Sequence, residues 1–337
     1  MYFFLNDYND IGRPEIFEAI LKAKDEYNVG YGFDSHSENA RTLIKKALKN
    51  ENVDIHFVPG GTPANVLGVT CGMRQENSVI AATSGHIQGH EAGSIEATGI
   101  KIETIKTPTG KLTRKLLEEK LASFNSELVT VPKKVYISNT TELGEVYTKK
   151  ELEDIYNFCK ENDLYLFIDG ARLAAALVSE KCDYEISDLC KLCDVFYLGG
   201  TKNGLMFGEA LVIVNDDLKK SFINLQKQKG YLLAKGFVPG IMFETIFAKE
   251  DGYTAGADHA YKMAENLANG FLTKGYELAY PFESNQVFVK LSDSEVEKFN
   301  NFAAFELMGD MDNKKIARFV TTYRTNEEDI EGFLSNI

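Results

Sequence analysis

Short apolar runs alternate with segments of helical periodicity along most of the chain. Residues 15–29 and 37–49 carry the apolar spacing of helices, and Val53 to Val58 is a run of strand length. Thr62 to Arg74 is predicted to be helical, Val79 to Ala82 a strand, 88–97 a short helix and Ile100 to Ile105 a strand. The alternation continues with helix 113–124, strand Lys134 to Ser138, helix 148–162 and strand 164–168. A helix near 184–193 precedes strand 194–198, and another strand spans Ala210 to Val214. Strands that alternate with helices in this way predict an α/β domain built on a mostly parallel sheet. Only a tight turn around Gly204 to Gly208 separates the last two strands, so the final one is expected to run antiparallel.

Residues 216–235, and on to 247, read as helix leading away from the sheet. From about residue 255 the pattern changes to helix 256–274, strand Gln286 to Leu291, helix near 294–306, strand Ala317 to Thr322 and helix 326–334. This predicts a smaller α+β domain over 251–337 beside a large α/β domain over 1–250, which also takes in the N-terminal segment. No repeat or low-complexity linker separates them, so they are expected to pack tightly.

Composition narrows the function classes. The apolar fraction of 44% and charged fraction of 26% are ordinary for a globular protein. Lys+Arg 37 against Asp+Glu 50 gives a formal charge of −13, which argues against a general nucleic-acid or anionic-membrane surface. It leaves room for a local cationic pocket. The N-terminus lacks the basic region and sustained apolar core of a secretory signal, and no apolar run reaches the roughly 18–20 residues of a membrane span. Five cysteines without scaffold spacing fit a reducing cytoplasm. Cys190 and Cys193 have the spacing of half a zinc site, but none of the five histidines pairs with them, so no metal is expected.

The candidate chemistry lies at strand ends. Strand 194–198 runs into Gly199-Gly200-Thr201-Lys202, where a lysine has no packing reason to be. Strand 164–168 ends on Asp169, in Phe-Ile-Asp-Gly-Ala-Arg. A lysine and a carboxylate on strand ends of one sheet suit pyridoxal phosphate (PLP), which needs an amine for the Schiff base and an acid to keep the pyridine nitrogen protonated. Gly60-Gly61-Thr62-Pro63 precedes helix 62–74. Thr62 is an N-cap type, Pro63 suits the first helical position, and a helix start offers N–H donors to a phosphate. Ligands of open α/β sheets sit beyond the carboxyl ends of strands, so these groups are expected to face one crevice. His86, after strand 79–82, is placed to stack on a cofactor ring and to move a proton.

The ordered set Gly-Gly-Thr-x-Ala-Asn, Ser-Gly-His-Ile…Glu-Ala-Gly, Phe-Ile-Asp-Gly-Ala-Arg-Leu and Gly-Gly-Thr-Lys-Asn-Gly resembles the threonine aldolase branch of the aromatic amino acid β-eliminating lyases. These are PLP enzymes of the aspartate-aminotransferase-like fold (fold type I). The similarity runs from Asn6-Asp7 to the segment 317–330. It implies that Lys202 is the Schiff-base lysine, that Asp169 partners the pyridine nitrogen, that Gly61 and Thr62 hold the phosphate and that His86 stacks on the ring. It implies Arg172 and Arg318 as the arginines for the substrate carboxylate, a role suited to guanidinium forks. Tyr31 corresponds to a position brought across a subunit interface, and Lys235 to a basic position near the phosphate of an adjoining subunit. Homodimers or homotetramers with shared active sites follow from the same resemblance.

Two departures bear on the reaction. The family commonly has Asn-Thr-His where this chain has Asn139-Thr140-Thr141-Glu142, so Glu142 or His86 is left to take the proton of a β-hydroxyl. Asn6 replaces a serine that helps bind the substrate carboxylate and keeps a hydrogen-bonding group there. The implied reaction is cleavage of a β-hydroxy-α-amino acid such as threonine or allo-threonine to glycine and an aldehyde. The alternatives are β-elimination or transamination of another amino acid, and a non-catalytic PLP-binding protein. A nucleotide-binding α/β protein ranks below these, because Gly-Gly-Thr-Pro matches neither the dinucleotide nor the Walker pattern.

Overall fold

The computed structural model describes residues 1–337. Its strands in chain order are β1 (Tyr2–Phe3), β2 (Asp54–Val58), β3 (Asn77–Ala82), β4 (Lys101–Ile105), β5 (Val131–Ser138), β6 (Tyr165–Asp169), β7 (Val195–Gly199) and β8 (Glu209–Ile213). After these come β9 (Glu277–Leu278), β10 (Gln286–Leu291), β11 (Ala303–Ala304), β12 (Glu306–Met311) and β13 (Lys314–Val320). A seven-stranded sheet has the order β2-β8-β7-β6-β5-β3-β4. Its pairs are parallel except those of β8, which runs antiparallel to both β2 and β7.

Side chains alternate across this sheet. Ile80, Val135, Phe196 and Leu198 enter one apolar cluster, and their neighbours Val79, Ala81, Tyr136, Val195 and Tyr197 enter another on the opposite face. Both faces are therefore covered, which is why these strands read as nearly continuous apolar runs. A third cluster gathers Leu267, Phe271, Val287, Phe299, Phe319 and Phe333 with Phe4 around the four-stranded sheet β12-β13-β10-β9. The N-terminal strand β1 pairs with β11 beside it. No helix is long and apolar enough to cross a membrane.

Helix Gly61–Thr70, which covers one face of the sheet, has an unusual far end. Lys134 on β5 is fully buried, and its Nζ donates to the carbonyls of Gly68 (2.7 Å), Val69 (3.0 Å) and Cys71 (2.7 Å). A cation at a helix C-terminus meets the negative end of the dipole and the carbonyls left without intrahelical partners. Lys134→Met keeps the length but strands those acceptors. A loss of about 2–4 kcal/mol in a urea unfolding curve is the expected result.

Several elements differ from expectation for local reasons. The helix predicted over 15–29 spans Pro14–Lys22, because Tyr27 and Val29 beyond it find no core and lie exposed. The segment 88–97 holds a four-residue helix (His86–Gly89) and a single turn (Glu96–Thr98), separated by Ala92 and Gly93 at positive φ. The stretch 216–247 is three helices, Asp216–Lys219, Phe222–Gln228 and Phe237–Phe247, interrupted at Ser221 and Gly230, both at positive φ. The helix expected near 294–306 stops at Asn300, and Glu306–Met311 is strand β12, which the apolar spacing did not foretell.

Candidate active site

The carboxyl ends of β6 and β7 bring Asp169 and Lys202 to one cavity of about 380 Å³. Gly170 allows the approach: a Cβ there would lie 1.7 Å from the Tyr197 carbonyl oxygen of β7. Lys202 occupies a single helical turn, Thr201–Asn203, closed by Gly204 at φ +84°. Loss of water contact and the neighbouring Arg172 cation push the Lys202 amine below its ordinary pKa. A depressed pKa enlarges the neutral fraction, the form able to attack a carbonyl.

Asp169 is buried and accepts four hydrogen bonds. Tyr197 Oη (2.5 Å) and the Ala171 N–H (3.0 Å) donate to Oδ1. Tyr136 Oη (2.5 Å) and Asn65 Nδ2 (2.9 Å) donate to Oδ2. Four donors match the roughly four lone-pair positions of a carboxylate, so a pyridinium N–H is accommodated when one rotatable phenol O–H turns aside. Asn65 also donates to Glu91 Oε1 (2.6 Å), and Glu91 Oε1 faces His86 Nδ1 at 2.8 Å. Burial opposes the imidazolium, but the Glu91 bond and the Asp169 charge raise the His86 pKa above its usual value. Glu91 thus fixes the Nδ1–H of His86 and leaves Nε2 without a partner in the chain.

Gly61 and Thr62 line the same cavity, at a helix start that differs from the sequence reading. The capping position is Gly60, the helix begins at Gly61, and no side chain caps it. Thr62 therefore lies inside the first turn, and the terminal N–H groups face no side-chain acceptor, as an anion site requires. Glu142 is half-buried and lines the cavity, with Oε1 taken by the His86 N–H (2.8 Å) and Ser138 Oγ (2.7 Å). Burial raises its pKa. Thr141 turns away, bonding Thr109 O (3.4 Å) and the Glu145 N–H (3.1 Å), while Thr140 lines the cavity.

Arg172 and Arg318 both reach this cavity, Arg318 from β13. Arg172 is held by Asp7 through Nε (2.7 Å) and Nη2 (3.0 Å), and Arg318 by Glu306 and Gln286 Oε1 (3.2 Å). Burial disfavours an ionised Asp7, yet Arg172 and Lys202 keep its pKa below the usual range. Three expected site residues lie elsewhere. The Asn6 side chain accepts from the Tyr8 N–H (3.0 Å) and stays outside the cavity lining, so its neighbour Asp7 is the residue set against Arg172. Tyr31 lines a separate small cavity with Arg41 and His56, under Lys227 Nζ at 4.3 Å. Lys235 is exposed close by, and the Tyr31 N–H bonds the Ala234 carbonyl. Asn65, Glu91, Tyr136, Tyr197 and Glu209 carry the site's polar network but were missed. The buried tyrosines read as core, and Glu91 carried a signal only in the motif Glu-Ala-Gly.

Residues 7–294 match the family model described as beta-eliminating lyase. The chain belongs to the beta-eliminating lyase family. A low specificity L-threonine aldolase of a Pseudomonas species is 30% identical to this lyase over 334 residues, covering 96% of this chain and 93% of that protein. A solved structure of Leishmania major threonine aldolase superposes with a TM-score of 0.97 at 42% identity, covering 99% of this chain and 98% of that one. Thermus thermophilus aspartate aminotransferase shares the fold alone, with a TM-score of 0.74, 14% identity and coverage of 100% and 90%. The fold is thus the PLP-dependent type I fold, a mixed α/β architecture with a mostly parallel central sheet.

The residues of this lyase fit the cofactor its family implies. Small-molecule sites are typically about 300–1,000 Å³, and here one such cavity holds a lysine of depressed pKa, a buried carboxylate, an uncapped helix start and an oriented histidine. Glu209, on β8, is a further buried carboxyl of this cavity; burial raises its pKa to about 7, and the Gly200 N–H donates to it at 2.6 Å.

Proposed function

We propose that this chain cleaves a β-hydroxy-α-amino acid, threonine or allo-threonine, between Cα and Cβ to give glycine and an aldehyde. The juxtaposition of Lys202 and Asp169 at the ends of β7 and β6, opposite Arg172 and Arg318, carries this reading. PLP held in this cavity supplies an electron sink for the pair released when the Cα–Cβ bond breaks. Lys202 would offer the amine for its attachment, and Asp169, positioned by Tyr136, Tyr197, Asn65 and the Ala171 N–H, would hold the ring nitrogen. The first turn from Gly61 and Thr62 takes the phosphate.

Arg318 takes the substrate carboxylate from one side of the cavity. Arg172, its outer edge occupied by Asp7, orients the same group and fixes which Cα bond is labile. His86 accepts the β-hydroxyl proton at Nε2, because Glu91 holds the opposite nitrogen. Glu142 is the lesser candidate as base, since two donors already occupy one of its oxygens. Tyr31 and Lys235 belong to this reading as contributions to a neighbouring subunit's site in a homodimer or homotetramer. The exposed side chains Tyr27, Val29, Tyr31 and Phe33 supply an apolar surface for that contact. A cytoplasmic location is consistent with five free thiols, and division of the chain between residues 250 and 251 completes the proposal.

The test is a product assay of the PLP-loaded protein against a panel of amino acids. Glycine and acetaldehyde in equal amounts from threonine is the expected outcome. Pyruvate with ammonia, or a keto acid, as the dominant product would transfer the reading to β-elimination or transamination.

A further inference from the structure

The two arginines of the cavity are engaged by protein carboxylates in different ways. Asp7 takes both donors on the Nε/Nη2 edge of Arg172, receives a third bond from Asn285 Nδ2 (3.1 Å), and has a side chain only 1% exposed. That contact is built in. Glu306 takes Nη2 of Arg318 but leaves the adjoining Nε–H buried and without a partner. Its side chain is 44% exposed and lines the cavity, and Arg318 is its only hydrogen-bond partner.

The backbone context matches a partner that can leave. Glu306 is the direct cross-strand neighbour of Arg318 in the β12–β13 ladder. Strand β12 is the edge of its sheet, with nothing paired to its other side. Its register shifts between Leu307 and Asp310, around Gly309 at φ +124°. A carboxylate that is half-exposed on an edge strand and makes one contact is held weakly, whereas a bidentate carboxylate satisfies both donors of the edge and forms the stronger charge-assisted pair.

We propose that Glu306 is a displaceable internal substitute for the substrate's carboxylate on Arg318, and so limits how tightly the cavity binds an amino acid. The incoming carboxylate takes Nη2 and the unpartnered Nε–H, and Glu306 swings to solvent along the edge of β12. Glu306 is therefore an affinity-setting residue and takes no part in bond cleavage. The inference rests on the reading of Arg318 as the carboxylate-binding arginine.

The test compares the PLP-loaded wild type with Glu306→Gln, Glu306→Ala and Arg318→Ala, reading KM for threonine and the Kd of glycine by calorimetry. Removing the competing carboxylate is expected to lower both constants about three- to tenfold in each Glu306 variant, with a smaller change in kcat. Arg318→Ala is expected to raise both. If Arg318→Ala raises them and the Glu306 variants raise them too or leave them unchanged, Glu306 only props Arg318 and the substitution model is wrong. If Arg318→Ala leaves both constants unchanged, the reading of Arg318 itself falls.

Discussion

Lys202→Ala is expected to cut glycine formation from threonine by about 10³-fold or more, with the fold intact. Lys202 Nζ makes no hydrogen bond within the chain, and Lys202 is held in its turn by the backbone of Thr201–Asn203, so truncation leaves no hydrogen-bond partner unpaired, while Asp7 keeps Arg172 as its bound cation. The chemical loss is large because no second lysine lines the cavity. Two measurements check it. Circular dichroism melting should match the wild type, and borohydride treatment of the wild type should fix PLP to the peptide that carries Lys202. A labelled peptide lacking Lys202 would falsify the assignment.

Asp169→Asn is expected to lower kcat roughly 10²–10³-fold while PLP still binds. The carboxylate is the one acidic group placed by four donors, and the amide removes its charge while retaining an acceptor for some of them. Its NH₂ would face at least one donor head-on, so a modest fall in melting temperature should accompany the kinetic loss. PLP content by absorbance after dialysis separates the two effects. Near-normal turnover in a PLP-saturated variant would remove Asp169 from its role at the ring nitrogen.

Much of this site was legible because open sheets expose function at strand ends. Asp169 and Lys202 each follow an apolar run, and β6 and β7 are adjacent in the sheet. The antiparallel β8 was legible from the tight glycine turn. What escaped reading was what long-range pairing decides. The spacing of Val296, Phe299 and Ala303 mimics a helix, yet Ala303–Ala304 pairs with Tyr2–Phe3 and Glu306 begins an edge strand. Periodicity carries no information about that pairing, so the Glu306–Arg318 contact was invisible. Asp7 likewise meets Arg172 across 165 positions of sequence. Thr62 looked like the cap because its side chain suits one, whereas the backbone turns two positions earlier, at Gly60.

Strand β8 has a consequence for how such a site diversifies. Glu209 pairs with Val58 on one side and Gly199 on the other, so one strand sets the gap between the phosphate-facing loop and the lysine turn. Two inter-strand spacings make that gap about 9.5 Å, and it is a ruler made of peptide bonds. Mutation can repaint the walls of the cavity, at Thr140 or Glu306 for instance, without altering the length of the bed in which the cofactor lies. A scaffold of this kind can change its substrates while its cofactor stays the same.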